Sequence, residues 1–372
     1  MIEAYRRLER ARVIGMISGT SADGIDAAMV EFEGISERPR FVQFSCTPYE
    51  PAVREEVFRL MENRATVVEV ARMNVLLGQL FAAAARELGP CDLVASHGQT
   101  ISHLPEASSF CGHRVRATLQ IGEAAEIAAA LGCPVVSDFR PPDLALGGQA
   151  APLVPFADAA ILRSSEVDRF ALNIGGIANF TFIPREGEVQ ACDTGPGNCL
   201  MDALAERVLG LPCDAGGAFG ATGAVQNELL EEMLQHPYFA LAGPRSTGRE
   251  EFGRPLLERY VDRAAPADLM RTAAALTAES IVRALRAYLR GPAELVAAGG
   301  GVENPTLMGE LAGRLPEGVR LRRYDEFGIP AEAREAVAFA VLGHQTMHGR
   351  ATGVPGATGA RRSAVQGKIT VV

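Results

Sequence analysis

Two glycine-rich turns of one kind, Ile17-Ser18-Gly19-Thr20-Ser21-Ala22-Asp23-Gly24 and Asn173-Ile174-Gly175-Gly176-Ile177-Ala178-Asn179, lie far apart in the chain, each ending one apolar strand and leading toward another. A strand, a glycine turn and a second strand leave backbone N–H groups free to surround phosphate oxygens. A third turn, Ala297-Ala298-Gly299-Gly300-Gly301-Val302-Glu303-Asn304, follows a buried-looking strand and precedes a helix, as suits a nucleoside lying against backbone. Three such turns predict a bilobal nucleotide site.

The elements around the first two turns repeat as well. The first half reads as strands 13–18, 27–33 and 41–47, helices 51–63 and 67–88, strands 93–96 and 118–121, helix 123–131, strand 135–137 and helix 153–162. The second half opens the same way, with strands 169–174, 180–183 and 189–192, then helices 198–209, 227–235, 254–262 and 269–289. Strand 295–298, helix 305–315, strand 319–322 and helix 332–348 complete it. A chain of 372 residues exceeds the size at which single cores divide. The duplicated order predicts two α/β domains, 1–165 and 166–350, each a mixed sheet covered by helices. Residues 351–372, in a stretch rich in Gly, Ala and Thr, read as a loose tail.

Composition excludes several classes of partner. A net charge of −9 repels a nucleic-acid backbone, whose neutralisation needs clustered Lys and Arg. The seven cysteines form no Cys-x-x-Cys pair, so reduced thiols and a cytoplasmic location are expected. The charged N-terminus lacks a signal-peptide apolar core, and no run of uncharged apolar residues is long enough to predict a membrane span.

Particular side chains suit particular chemistry. Thr20 and Ser21, with their hydroxyls and N–H groups, suit phosphate oxygens, Asp23 and Asp26 lie close behind, and the Asp23 carboxylate suits Mg²⁺ held through water, so Gly19, Thr20, Ser21, Ala22, Asp23, Gly24, Ile25 and Asp26 are the candidate ATP-binding stretch. The alternative is a hairpin using Ser, Asp and Gly for turn chemistry alone. Asp193, in Asp193-Thr194-Gly195-Pro196-Gly197-Asn198, stands at a strand end before a helix and is the candidate general base, or else a turn or capping residue. The same Asp-Thr-Gly has no second copy, which removes the aspartic-protease reading. His97 and Gln99 follow a buried strand and suit sugar hydroxyl and amide groups, though His97 also fits a purely structural hydrogen bond. Asp138 and Arg140 suit a hydroxyl and a carboxylate, or a salt bridge bracing a hinge. Glu335 either bonds a sugar or offsets a helix dipole. His344 and His348 lack the Glu of a zinc motif and are expected as an exposed pair.

The local strings resemble those of the anhydro-N-acetylmuramic acid kinases, within the superfamily of sugar kinases, heat-shock ATPases and actin. The similar strings are Ile14–Asp26 (IGMISGTSADGID), Ser96–His103 (SHGQTISH), Thr118–Gly122 (TLQIG), Asp138–Pro155 (DFRPPDLALGGQAAPLVP), Leu172–Asn179 (LNIGGIAN), Cys192–Ala203 (CDTGPGNCLMDA), Ser246–Glu250 (STGRE), Gly299–Asn304 and Glu335–Ala340 (EAVAFA). Ala22 departs from the Leu usual in that family. The resemblance implies a two-domain actin-like ATPase of duplicated ribonuclease H-like domains with an interdomain active-site cleft. It implies ATP, with Mg²⁺, at the first turn and at Gly175, Gly176, Asn179, Gly299, Gly300, Gly301 and Asn304. The sugar would meet His97, Gln99, Asp138, Arg140 and Glu335. The implied reaction is phosphorylation of 1,6-anhydro-N-acetylmuramic acid, a peptidoglycan turnover product, with Asp193 activating the water that opens the anhydro ring. Another sugar or acetate kinase, or an ATP-gated clamp, is the alternative. A homodimer is the expected default.

Overall fold

The computed structural model describes residues 1–241, 245 and 247–372, so Ser246 of the Ser246–Glu250 string lies outside the described residues. The chain forms two compact units, one of Met1–Ile161 with Gly328–Val372 and one of Leu162–Phe327. The first unit contributes strands β1 (Arg10–Ser18), β2 (Gly24–Glu33), β3 (Arg40–Pro48), β4 (Leu93–Phe110), β5 (His113–Ile121) and β6 (Val135–Ser137). The second contributes β7 (Asp168–Ile174), β8 (Ile177–Ile183), β9 (Gln190–Pro196), β10 (Ala293–Ala298) and β11 (Val319–Arg323). The last strand, β12 (Lys368–Thr370), belongs to the first unit.

The duplication is visible in the strand orders. The first sheet runs β12-β6-β4-β1-β2-β3, with β5 on β4, and the second runs β11-β10-β7-β8-β9. In each, an antiparallel three-strand meander (β1-β2-β3, β7-β8-β9) continues through parallel partners of its first strand (β4 and β6, β10 and β11). This is the order expected of paired ribonuclease H-like domains.

In the first unit β1 and β2 are covered on both faces, which is why Val13, Ile14, Met16, Ala27, Ala28 and Val30 read as unbroken apolar runs. On one face the helix Arg334–Met347 lies so close that a Cβ at Gly15 would stand 1.9 Å from the Ala336 carbonyl oxygen. On the other face the helices Val67–Glu87 and Ala124–Leu131 bury Leu77, Phe81 and Ile127 against Ile14 and Val94. Val67–Glu87 begins at Thr66 with a capping box to Glu69. By length and composition it could cross a membrane, but its Leu77 and Phe81 face is packed as a core helix. In the second unit the helix Pro266–Arg286 buries Ala273, Leu276, Ile281 and Leu285 in a core with Phe170, Phe180 and Phe182.

Three stretches differ from the sequence expectation. The C-terminal helix packs on the first sheet, not the second, because Gly15 and Gly343 remove the side chains that would hold it off. The buried pair Arg334–Asp158 fastens it to the helix Pro155–Leu162. The tail is ordered: Thr358 Oγ1 donates to Asp143 Oδ1 at 2.8 Å, Thr352 Oγ1 donates to Gln366 Oε1 at 3.0 Å, and β12 pairs antiparallel with β6. β4 and β5 extend into a long hairpin closing at Phe110 and His113. Along it exposed positions alternate with half-buried ones, but the half-buried set includes Arg116, Thr118 and Gln120 while Leu104, Val115 and Leu119 are exposed, so no apolar alternation marks the buried face in the sequence.

Candidate functional site

In the second unit the β7–β8 turn is Gly175-Gly176 alone. Its two carbonyls accept bonds from the N–H groups of Asn198 (2.8 Å) and Gly197 (2.9 Å), which pin the turn to the start of the helix Cys199–Leu209. Neither glycine has a left-handed φ, so backbone conformation does not demand them. Space separates the two. A Cβ at Gly176 would lie 2.5 Å from Nε of Arg249, whereas at Gly175 the nearest atoms are 3.7 Å away.

Asp193 lies within β9 and not at its end, directly opposite Asn179 of β8, and Thr194 is the extra residue of a bulge between Asp193 and Gly195. Such a bulge re-aims the neighbouring side chain. The peptide is braced: Asp193 N–H donates to the Arg245 carbonyl at 3.0 Å, while the Asp193 carbonyl accepts from Tyr238 OH at 2.7 Å and Arg245 Nε at 3.2 Å. Carboxylate Oδ2 accepts from the Thr247 N–H at 3.1 Å. Burial raises the Asp193 carboxyl to about 6, with the Thr247 N–H and the Arg245 charge pulling the other way. It is therefore ionised at neutral pH and more basic than an exposed aspartate, as a general base requires.

The third turn divides likewise. A Cβ at Gly299, which has φ +87°, would stand 2.5 Å from Asn173 Oδ1, and one at Gly301 would stand 2.3 Å from Ile174 Cγ2, so both serve close packing on β7. Gly300 has no neighbour nearer than 4.0 Å. Asn304 is engaged in capping the helix Pro305–Arg314, accepting from Leu307 N–H at 3.0 Å.

In the first unit the β1–β2 turn is held from beneath by Gln99, which is fully buried. Its Oε1 accepts from Ser18 Oγ at 2.6 Å and its Nε2 donates to the Gly19 carbonyl at 3.1 Å. Gln99 thus supports the turn; the side chain expected at the sugar is occupied in shaping the loop. Gly19 has no left-handed φ and only Ser21 Oγ, at 3.8 Å, near its Cβ position. Thr20, Ser21 and Asp23 are exposed. Ala22, at φ +49°, is buried, as is Ile25, so the side chains of both belong to the core. Gly24 is required by packing, 2.3 Å from the Thr47 carbonyl oxygen. Asp23 stands 3.9 Å from Arg54. The Asp26 carboxyl is raised by burial, with the charges of Asp23 and Glu332 adding and a Cys46 thiol bond opposing. Among the described residues no three His, Cys, Asp or Glu side chains form a metal cluster. The turn therefore fits an ion carried largely by phosphate and water, with Asp23 and Asp26 beside it.

The other first-unit residues form a chain of contacts. His97 is buried, with Nδ1 3.1 Å from the Gly98 carbonyl oxygen and Nε2 3.0 Å from Nε of Arg140. Burial and the Arg140 charge lower the His97 pKa to about 3, so the ring is neutral, donating through Nδ1 and accepting at Nε2. Arg140 also donates to the Ala150 carbonyl at 2.5 Å. Burial lowers its pKa to about 10, with Glu335 opposing. Asp138, at φ +54°, pairs with Lys368 of β12 at 2.8 Å and not with Arg140. Glu335 keeps surface access but stands deep among protein atoms, and that desolvation raises its carboxyl, with Arg334 opposing. His344 is buried, stacked on Phe32 and bonded to Tyr5 OH at 2.7 Å, contrary to the exposed pair expected.

Four residues at the Asp193 site carried no role in the sequence reading: Tyr238, Arg245, Thr247 and Arg249. Thr247 and Arg249 lie in the Ser246–Glu250 string, which signalled importance without saying which atoms matter.

The family model for anhydro-N-acetylmuramic acid kinase matches residues 11–372. A protein of that name from Caldanaerobacter subterraneus subsp. tengcongensis is 38% identical, over 100% of this chain and 99% of its own length. Two others so named, from Streptomyces coelicolor and Acidithiobacillus ferrooxidans, are each 42% identical over 96% of this chain and over 93% and 92% of theirs.

Proposed function

The chain belongs to the anhydro-N-acetylmuramic acid kinase family and is a kinase, and on that premise we propose that it uses ATP to phosphorylate 1,6-anhydro-N-acetylmuramic acid while water opens the anhydro ring. The observation that carries the nucleotide part is the pair Gly19 and Gly175. They follow topologically equivalent strands, and neither backbone conformation nor internal packing explains their lack of a side chain. Close approach of a phosphate to backbone does explain it.

In the reaction O6 of the sugar is tied to C1 and has no proton to give. Asp193 takes a proton from water as the water oxygen bonds to C1, the C1–O6 bond breaks, O6 bonds to the γ-phosphorus, and ADP leaves. The Thr247 N–H fixes the orientation of the Asp193 carboxylate, and the Tyr238 and Arg245 bonds fix its peptide. Asp23 and Asp26 would hold Mg²⁺ through water, and the ion would supply charge neutralisation for the phosphates. Arg140, held by His97, and Glu335 offer a donor and an acceptor to the sugar. Incubation with ATP and the anhydro sugar, followed by mass spectrometry, is expected to yield N-acetylmuramic acid 6-phosphate and ADP in equal amounts. ADP formed equally well without sugar would favour the ATP-gated clamp instead.

A further inference from the structure

We infer that Arg249 is a phosphate-binding residue of the β7–β8 turn, contacting the β- or γ-phosphate of the nucleotide; the inference rests on the reading of that turn as a nucleotide site. The guanidinium lies against the turn: Nε, Nη2 and Cζ fall 2.5, 2.8 and 3.0 Å from where a Cβ on Gly176 would be. A side chain at Gly176 would therefore displace this guanidinium from the turn, while Gly175 beside it is left open.

The cation is uncommitted. Most arginines of this chain, among the described residues, pair with a carboxylate or donate to a carbonyl, but Arg249 has neither partner there and remains exposed. The nearby Asp202 carboxyl, raised to about 6 by burial, feels the Arg249 charge without coming within ion-pair distance. An exposed guanidinium laid on a glycine turn without an anion has the geometry for charge-assisted bonds to a phosphate oxygen. The segment also has a second fixed point, because Thr247, two residues earlier, bonds the Asp193 carboxylate. One short stretch therefore holds the general base and places the cation on the turn.

Calorimetry without sugar, using ATP, ADP and AMP on the wild type, Arg249→Ala and Arg249→Lys, tests this. For Arg249→Ala the expected result is an ATP affinity lower by about 10- to 100-fold, the scale of a hydrogen bond to a charged group, with AMP affinity nearly unchanged and the melting temperature kept. Arg249→Lys should recover part of the loss, since it restores charge without the planar fork. Unchanged ATP affinity in both variants would overturn the inference while leaving the turn a nucleotide site. Equal weakening of ATP and AMP with a lower melting temperature would also overturn it, by showing that Arg249 only supports the turn. A wild type that binds ATP no better than AMP would remove the phosphate reading of the turn itself, and Arg249 with it.

Discussion

The β1–β2 and β7–β8 turns close equivalent strands of two sheets with the same order, yet they carry opposite charge. The first holds Asp23 and Asp26, two exposed hydroxyls, and a cation only at 3.9 Å from Asp23. The second has amides and glycines in the turn itself and the Arg249 guanidinium on top of it. The strand order is shared, but the turns differ in length, residues 19–23 in the first and Gly175-Gly176 in the second, and in the side chains around them. The acidic turn suits a metal ion carried with phosphate, and the basic one suits phosphate directly. The second turn also has the proposed general base on an adjacent strand pair, Asn179 opposite Asp193.

The largest effect expected from this division is on turnover. Asp193→Asn should lower kcat by about 10² to 10⁴-fold, the range for a general base, with ATP and sugar affinity within a few fold by calorimetry. Undiminished turnover would move the chemistry away from the second unit.

The glycines sharpen the comparison next. Gly175→Val and Gly19→Val should each weaken ATP binding by at least about tenfold, the loss of one charge-assisted phosphate contact, without a matching fall in melting temperature. Gly24→Ala, whose Cβ would press on the Thr47 carbonyl, should instead cost about 1–3 kcal/mol of stability as overpacking does. Denaturant unfolding and calorimetry on the three variants separate ligand-facing glycines from packing glycines. If Gly175→Val melts low and binds ATP normally, its openness has no functional meaning.

The pH dependence follows from the same carboxylate. As the proposed general base Asp193 must be ionised, so kcat/KM should fall tenfold per unit below about pH 6 and level off above it. For stability the sign is reversed. The folded carboxyl sits above its unfolded value, so folding favours the protonated form, and the unfavourable term develops as pH rises from the unfolded value through about 6. Asp193→Asn should therefore melt higher than wild type at neutral pH, and the difference should vanish in acid below the unfolded carboxyl range. A lower melting temperature at neutral pH would mean that the Thr247 and Arg245 contacts outweigh burial. The smallest effect belongs to Arg54→Ala. An exposed pair at 3.9 Å contributes about 0–1 kcal/mol, so its unfolding midpoint should barely move.

The sequence was most legible where burial imposes a period. β1, β2, β7 and β8 and their turns lie where the apolar runs and glycines place them, and Asp193 is marked by its string. Side-chain partners were less legible because they come from distant parts of the chain. Gln99 reaches back to Ser18 and Gly19 across the sheet, Lys368 arrives at Asp138 through a strand at the far C-terminus, and Thr247 reaches Asp193 from a loop. The helix carrying Glu335 belongs to the first unit and not, as its place in the sequence suggests, to the second, for a related reason. An apolar helix fits either sheet by pattern, and the close approaches at Gly15 and Gly343, which a pattern does not show, decide.

The coupling of ring opening to phosphoryl transfer is tested most directly by running the reaction in water labelled with oxygen-18 and reading fresh product before its anomeric oxygen exchanges with solvent. Label is expected at C1 of the sugar phosphate and none in the phosphate group. Unlabelled C1 in freshly formed product would contradict it, since Asp193 would then be deprotonating a sugar hydroxyl and not a water.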